Sequence, residues 1–406
     1  MLDLINKKYS CDCGVVHEID TEILLEKGGL DKIYLMLKKY YAVSRIAIVY
    51  DVAVGEYAQK VLESLLENSF QISEICYEKL TFVKKADVEK LINLPENVRF
   101  FIGIGSGSIG TVVRYAAMIR GNEYGLVATA PSTDSYLSSY AVFGDKAEKC
   151  ASPKFVIADE NVYQKSKEYL VASGIGAVFN AFLTVFMLKY RRAIFKEKYC
   201  AKVCDELENL LFEFVQKYEN ANNQIKYLME TLMKISLAKE YLGARVNSGE
   251  ITTYLLTSPK DTRFYGENLF LSSYLVISLY QAYLSDEKSD TLIPADYVKG
   301  LKLLNLQLDG EYNYPKEKFM EYKEKNVTAI GYLIKEYRAD FLGFLSKIDT
   351  DEWAKAFRRC YYDAGYWLRG YVTAGDLLKV LSLSGLIAEN SLLGYVKETG
   401  FLEDML

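Results

Sequence analysis

Histidine is almost missing from this sequence: one occurs, at position 17. Any site that needs two imidazoles is thereby excluded from the whole chain. Proline is scarce too, six in all, and falls mostly at element borders, so long helices can run unbroken. There is no basic surplus. Lys and Arg number 49 against 54 Asp and Glu, a net charge of −5. A nucleic-acid binder carries an excess of positive charge, so none is expected as a partner. Short clusters such as Lys38-Lys39 and Arg191-Arg192 read as solvated helix faces. Long apolar runs are lacking as well. The longest, 175–188 and 271–284, are too short to span a bilayer, and Ser, Tyr and Gln interrupt the second. They read as buried helices, with no membrane partner expected. The first eight residues lack the apolar stretch of a signal peptide. Cysteines number seven, at 11, 13, 76, 150, 200, 204 and 360, an odd and scattered set that argues against a disulfide framework and for the cytoplasm. Cys11, Cys13 and His17 imitate a metal site, but three soft ligands in one short loop leave a zinc tetrahedron open. Cys200 and Cys204, one helical turn apart, read as packing. No zinc is expected.

What is present is ordinary for a globular chain: 50% hydrophobic and 25% charged residues, over a length sufficient for two domains. Up to about residue 158 strand and helix patterns alternate. Strands are expected over 45–50, 70–80, 98–103, 125–129 and 154–158, and helices over 33–41, 57–67, 87–93 and 110–120. That alternation implies βαβ units and a mostly parallel sheet. Beyond it strand signals nearly vanish. Long helices are expected over 162–195, 202–242, 266–283, 317–345 and 351–369. The fold class is therefore an α/β N-terminal nucleotide-binding domain with a parallel sheet, residues 1–158, and an all-α C-terminal domain, residues 159–406.

One motif carries chemistry. Gly105, Gly107 and Gly110 satisfy G-x-G-x-x-G between a strand and a helix. Residues without Cβ let the backbone approach a pyrophosphate, and the next helix offers free N–H groups and a positive dipole end. A tight turn with no ligand is the alternative. No acidic residue closes a strand about 20 residues on, as the common dinucleotide fold requires. The acidic strand end is Asp51, which either binds an adenosine ribose or caps the next turn.

The following strand runs into Thr129-Ala130-Pro131-Ser132-Thr133-Asp134-Ser135-Tyr136-Leu137-Ser138-Ser139. With the glycine loop, this stretch resembles the glycerol-1-phosphate dehydrogenases, within the superfamily of iron-type alcohol dehydrogenases, glycerol dehydrogenases and dehydroquinate synthases. Cys11-Asp12-Cys13-Gly14-Val15-Val16-His17, the Glu-Lys-Gly-Gly segment at 26–29, Pro153-Lys154-Phe155-Val156-Ile157-Ala158-Asp159-Glu160 and an Ala-Ser-Gly turn at 171–176 are similar to that family too. The resemblance spans residues 11 to about 285, and more faintly 367–378. It implies a dehydroquinate synthase-like fold, NAD or NADP as cofactor, a polyol phosphate as substrate and a homo-oligomer. By position, Gly105, Ser106, Gly107 and Ser108 would hold the pyrophosphate, Thr129, Ser132 and Ser138 would line the cofactor, and Asp134 would face the substrate hydroxyls.

The same resemblance implies a divalent metal on one Asp and two His, a Lewis acid that makes the alcohol alkoxide-like as hydride leaves. Here those positions read Ala177, Ile251 and Tyr265, while the flanking residues survive. Gly110-Thr111 stands where the family has Asn-Asp, and Arg114 where a lysine is frequent. Glu250, Glu267 and Asp134 are candidates for a rebuilt Mg²⁺ or Mn²⁺ site, or else the two glutamates brace helices. Tyr265 is a candidate proton donor, or a large residue filling the emptied cavity. The favoured expectation is a divergent, NAD(P)-binding relative without metal-dependent activity. Alternatives are an active oxidoreductase on glycerol-1-phosphate, dihydroxyacetone phosphate or a related polyol phosphate, and a lyase-like step in the same cleft.

Overall fold

A computed structural model describes residues 2–5, 8–41, 45–78, 80, 83–143, 146–243, 246–256, 265–286, 327–359, 381, 384–385, 391–398 and 401–404. Two compact units divide the chain, residues 1–178 with 200–245, and residues 179–199 with 246–406. The sequence reading put one boundary at 158. The units interleave instead, because the helices over 201–242 group with the sheet.

The first unit is built on six parallel strands: β3 (Glu22–Glu26), β4 (Arg45–Asp51), β5 (Gln71–Tyr77), β6 (Val98–Gly105), β7 (Glu123–Ala128) and β10 (Phe155–Asp159). Their order across the sheet is β3-β10-β7-β6-β4-β5. Near-continuous apolar runs such as Ile46-Ala47-Ile48-Val49 suit strands covered on both faces. Alternate residues then serve different cores. Ile46, Ile48, Phe100, Ile102, Ile104, Val127 and Ile157 pack with helices α1 (Ile33–Tyr41) and α2 (Gly55–Glu67). Ala47, Val49, Phe101, Leu126, Ala128, Val156 and Ala158 pack with α4 (Gly107–Arg120) and α9 (Gln224–Leu242).

Chain order fixes where a ligand can sit. From β4 the chain steps outward to β5, returns across β4 to β6, and continues to β7 and β10. Its direction reverses between β4 and β6. In open parallel sheets the crevice beyond the carboxyl ends of the strands at such a reversal is the ligand site. Both Asp51 and Gly105 end their strands there. Cα register pairs Tyr50 with Ile104, so Asp51 lies level with Gly105.

Two antiparallel hairpins stand outside this sheet and were not foreseen: β1 (Lys8–Ser10) with β2 (Val16–Glu18), and β8 (Tyr140–Phe143) with β9 (Lys146–Lys149). The segment 87–93 is a short 3₁₀ turn followed by α3 (Glu89–Ile92). Behind β10, α5 (Glu160–Tyr163) is one turn only. The expected helix over 202–242 is three: α7 (Ala201–Phe212), α8 (Phe214–Glu219) and α9. Asn223 caps α9 by accepting from Lys226 N at 3.0 Å, a start signal inside what reads as one periodic stretch. The Ala-Ser-Gly segment at 171–176 is not a turn. It lies within α6 (Glu168–Phe195).

Buried Asp159 ties two stretches of the family resemblance together. Its carboxylate accepts from Gly28 N and Leu30 N, both at 3.0 Å, and from Asn161 N at 2.9 Å. One carboxylate thus holds the Gly28-Gly29 turn beside the end of β10.

The second unit is helical. It contains the later part of α6, then α10 (Ser248–Leu256), α11 (Tyr265–Ser285) and helices over Val327–Leu345, Thr350–Arg359, Leu392–Glu398 and Phe401–Asp404. Aromatic rings supply its centre. Phe270 stacks on Phe179 and Phe357 with centroids 4.8 and 4.3 Å apart, and Trp353 lies 5.2 Å from Phe179. Helix α6 is long and apolar enough to cross a membrane, which corrects the shorter run read from sequence, but 89% of its apolar window is buried. That burial is the pattern of a core helix. Cys360 and the resemblance over 367–378 lie outside the described residues, as do the ends of the helices expected over 317–345 and 351–369.

Candidate nucleotide site

The site grows from the end of β6. Ser106 is the extended residue before α4, and the helix begins at Gly107, three residues earlier than the sequence pattern suggested. Free N–H groups of the first turn are therefore those of Gly107, Ser108 and Ile109, since Gly110 N already donates to Ser106 O at 3.0 Å. Only some of the motif glycines are sterically required. A Cβ on Gly105 would lie 2.8 Å from Ile109 Cγ1, too close for any real contact. On Gly107 it would meet Thr133 Oγ1 at 3.3 Å, so this glycine keeps the helix start and the 129–138 loop close. On Gly110 the nearest atom is Leu126 Cδ1 at 3.7 Å, ordinary contact.

The 129–138 loop follows β7 at the same sheet edge. Thr129 N donates to Gly105 O at 3.3 Å, joining the two loops at their roots. Tyr136 is buried and donates its hydroxyl to Ala130 O at 2.6 Å, closing the loop on itself. Thr133 and Ser135 hydroxyls are 2.9 Å apart. Gly105, Ser106, Gly107, Ser108, Thr129 and Ser132 thus belong to one edge. Ser138 is committed elsewhere: its hydroxyl donates to Tyr140 O at 3.3 Å and accepts from Tyr140 N at 3.0 Å.

Asp51 reaches the edge as expected, but its carboxylate accepts from Ala53 N at 3.0 Å and caps the following 3₁₀ turn. Burial raises its pKa, against the lowering effect of the Ala53 and Val54 N–H groups. Arg114 is fully buried. Its guanidinium donates to Tyr124 Oη at 3.0 Å, Tyr140 O at 3.1 Å and Ser135 O at 2.7 Å. It anchors the far end of the loop through backbone acceptors, which a lysine could not do with one nitrogen.

Asp134 is held by a group the sequence reading missed. It forms an ion pair with Lys239 at 2.8 Å, with side-chain exposures of 14% and 16%. Lys239 lies on α9 between two further partners of the same loop. Ser236 Oγ accepts from Leu137 N at 3.0 Å, and Glu240 accepts from Ser139 N at 2.7 Å and from Ser139 Oγ at 2.6 Å. Positions i, i+3 and i+4 share a helix face, so Ser-x-x-Lys-Glu was the available signal.

The three positions at which the resemblance implies metal ligands offer few donor atoms. Ala177, in the first unit, and Ile251, in the second, are buried and carry no donor atom. Tyr265 opens α11 and is 46% exposed, so it does not fill a cavity as one reading supposed. Glu250 is occupied in a capping box, accepting from Asn247 N at 2.8 Å while its own N–H donates to Asn247 Oδ1 at 3.1 Å. Asp134 is occupied by Lys239. Glu267 is buried on α11.

Comparison with known proteins places these features. Residues 24–166 match the family of iron-containing alcohol dehydrogenases. A glycerol-1-phosphate dehydrogenase (NAD(P)+) of Bacillus licheniformis is 25% identical over 317 residues, covering 71% of this chain and 79% of the relative. Two solved structures share the fold at lower identity. An archaeal halo-thermophilic alcohol dehydrogenase from a Red Sea brine pool has a TM-score of 0.60 at 11% identity, covering 95% of this chain and 96% of that one. The NADH-dependent butanol dehydrogenase A of Thermotoga maritima has a TM-score of 0.56 at 15% identity, covering 96% and 98%. With its parallel sheet, glycine loop and helical second unit, the chain has the fold of iron-containing alcohol dehydrogenases, resembles that family over residues 24–166, and has glycerol-1-phosphate dehydrogenases among its sequence relatives.

Proposed function

We propose that this protein is a cytoplasmic, nucleotide-binding member of its family that takes NAD or NADP on the α4 loop without carrying out metal-assisted hydride transfer on a polyol phosphate. The observation that carries the second half is the single histidine. It lies in β2, within the N-terminal hairpin, so the family's pair of imidazoles has no counterpart. Methyl and sec-butyl side chains at 177 and 251 cannot coordinate an ion, and Glu250, the carboxylate next to Ile251 in sequence, accepts a hydrogen bond in a helix cap. Without a Lewis acid the developing alkoxide loses several kcal/mol of stabilisation, which is orders of magnitude in rate.

Support for the first half is backbone chemistry. N–H groups of Gly107, Ser108 and Ile109 form an anion site that needs no particular side chain. They stand at the topological reversal of the sheet, where such ligands bind. A bound nicotinamide dinucleotide would supply hydride chemistry. The chain's own part is to hold its pyrophosphate.

Titration with NADH and NADPH, followed by nicotinamide fluorescence, should show saturable binding. Dihydroxyacetone phosphate reduction should stay at background with Zn²⁺, Ni²⁺ or Mg²⁺ added. Metal-dependent turnover would overturn the reading. Gly107→Val should weaken the tighter dinucleotide by at least about tenfold, equivalent to 1.4 kcal/mol, because the branched side chain enters the gap to Thr133. Unchanged affinity in a folded variant would show that the loop is only a turn.

A further inference from the structure

The N-terminal hairpin presents a set of ligands that the sequence alone left incomplete. Cys11, Cys13 and His17 come from β2 and the turn before it, where Gly14 N closes on Cys11 O at 3.0 Å and Gly14 takes φ +81°. The fourth member arrives from 189 residues away. Cys200, the residue before α7, brings its sulfur to 3.4 Å from Cys11 Sγ. Cys13 Sγ lies 3.3 Å from His17 Nε2, and all four ligand atoms fall within 4.8 Å of one another. His17 and Cys200 are buried, while Cys13 is exposed. Cys200 thus brings a fourth ligand atom to the three that the sequence places in one short loop.

We propose that Cys11, Cys13, His17 and Cys200 form a structural zinc site that fastens the N-terminal hairpin to the start of α7. Zinc bonds of about 2.3 Å to sulfur and 2.0 Å to nitrogen set tetrahedral ligand atoms roughly 3.5–3.8 Å apart. The observed spacings bracket that range, so closure onto an ion needs only small side-chain movements. Three thiols and an imidazole are a soft set that selects zinc over the hard divalent cations. As the ion binds, the three thiols release their protons to solvent and coordinate as thiolates.

Four protein ligands leave no open position, which makes the site structural and not catalytic. The hairpin has reason to need one. Among the described residues it is a two-stranded sheet paired with no other strand, and such a ribbon is barely stable by itself. His17 also rests against Tyr241 of α9, ring centroids 5.2 Å apart. The ion would tie residues 11–17 to the 200–245 segment, the stretch that joins the first unit out of chain order.

The test is metal analysis of the full-length protein purified under reducing conditions without chelator. Zinc should be present at about one equivalent per chain, fall to background in Cys200→Ser and Cys13→Ser, and stay unchanged in Cys76→Ser, whose thiol is exposed and outside the cluster. If the serine variants fail to fold, cobalt reconstitution of the wild-type protein keeps the proposal open to test. A tetrahedral thiolate site gives an intense near-ultraviolet charge-transfer band, absent from a site of oxygen and nitrogen ligands. Removing the ion with a strong chelator should lower the melting temperature by several degrees. Metal-free protein as purified, a Cys11–Cys200 disulfide in non-reduced peptide maps, or zinc retained in Cys200→Ser would each overturn the proposal. The outcome separates from the functional reading: an ion that supports triose-phosphate reduction and survives Cys200→Ser would sink both, whereas loss of the cysteine-bound ion leaves the absence of turnover as it was.

Discussion

Gly174→Ala should lower the melting temperature substantially, although alanine is the better helix former. Gly174 lies inside α6, where the exchange normally gains about 1 kcal/mol. Here the new Cβ would stand 1.9 Å from Pro131 O and 3.0 Å from Pro131 C. Those atoms are backbone, in the loop whose later residues Ser135 and Tyr140 are anchored by Arg114, so they cannot swing aside as a side-chain tip would. Helix and loop must separate. Overpacking costs about 1–3 kcal/mol where side chains can adjust, and more where they cannot. The net loss should exceed about 2 kcal/mol even after the propensity gain. Gly110→Ala is the matched control. It is also within a helix but has 3.7 Å of clearance, so it should be neutral or stabilising by up to about 1 kcal/mol. Calorimetry of the two variants decides the matter. Equal melting temperatures would refute a close approach of α6 to the 129–138 loop.

This glycine also shows how far the sequence was readable. The strands of the first unit were legible because apolar runs of β-branched residues, such as 45–50 and 154–158, have few other uses. Their parallel pairing followed from the helices between them. The two hairpins were not legible. Lys8–Ser10 and Val16–Glu18 are three residues each, below the length at which alternation can be told from chance. Family likeness alone marked Ala172-Ser173-Gly174 as a turn. The structure uses them for the opposite purpose, to let a continuous helix approach a carbonyl.

Around the candidate site, local pattern placed residues on elements, while contacts across the fold were not legible. Gly105 to Ser108 span the junction of a strand and a helix as their pattern suggested, because the three features are contiguous in sequence. Cys200 and Lys239 were missed because each reaches its partner across the fold. Cys200 joins Cys11 over 189 residues, and no spacing rule links them. Lys239 was hidden among many exposed lysines, and only the loop folded onto α9 reveals its use. Glu250 was legible in one sense: Asn247-Ser248-Gly249-Glu250 has the three-residue offset of a capping box, and that is what it forms.

The Asp134–Lys239 pair carries the second large prediction, because it separates a structural role for Asp134 from a catalytic one. Each side chain is about one-seventh exposed, 14% and 16%, so neither partner can be fully rehydrated when the other is removed. Breaking a buried pair on one side costs about 3–5 kcal/mol, and an exposed pair contributes about 0–1. Asp134→Asn and Lys239→Met should each therefore cost about 2 kcal/mol, measured by chemical denaturation. The double variant should recover much of that loss, because no orphan charge then remains. A coupling energy of about 1 kcal/mol or more in this cycle identifies the pair as a brace. Dinucleotide affinity should fall in both single variants, since the loop that carries Asp134 also carries Thr133 against the start of α4. If Asp134 instead served a substrate, Asp134→Asn would leave stability and dinucleotide affinity near wild type and abolish a turnover that the native protein first has to display. Only the combination of lost stability, lost affinity and rescue by the double change fits an aspartate whose charge is consumed by α9.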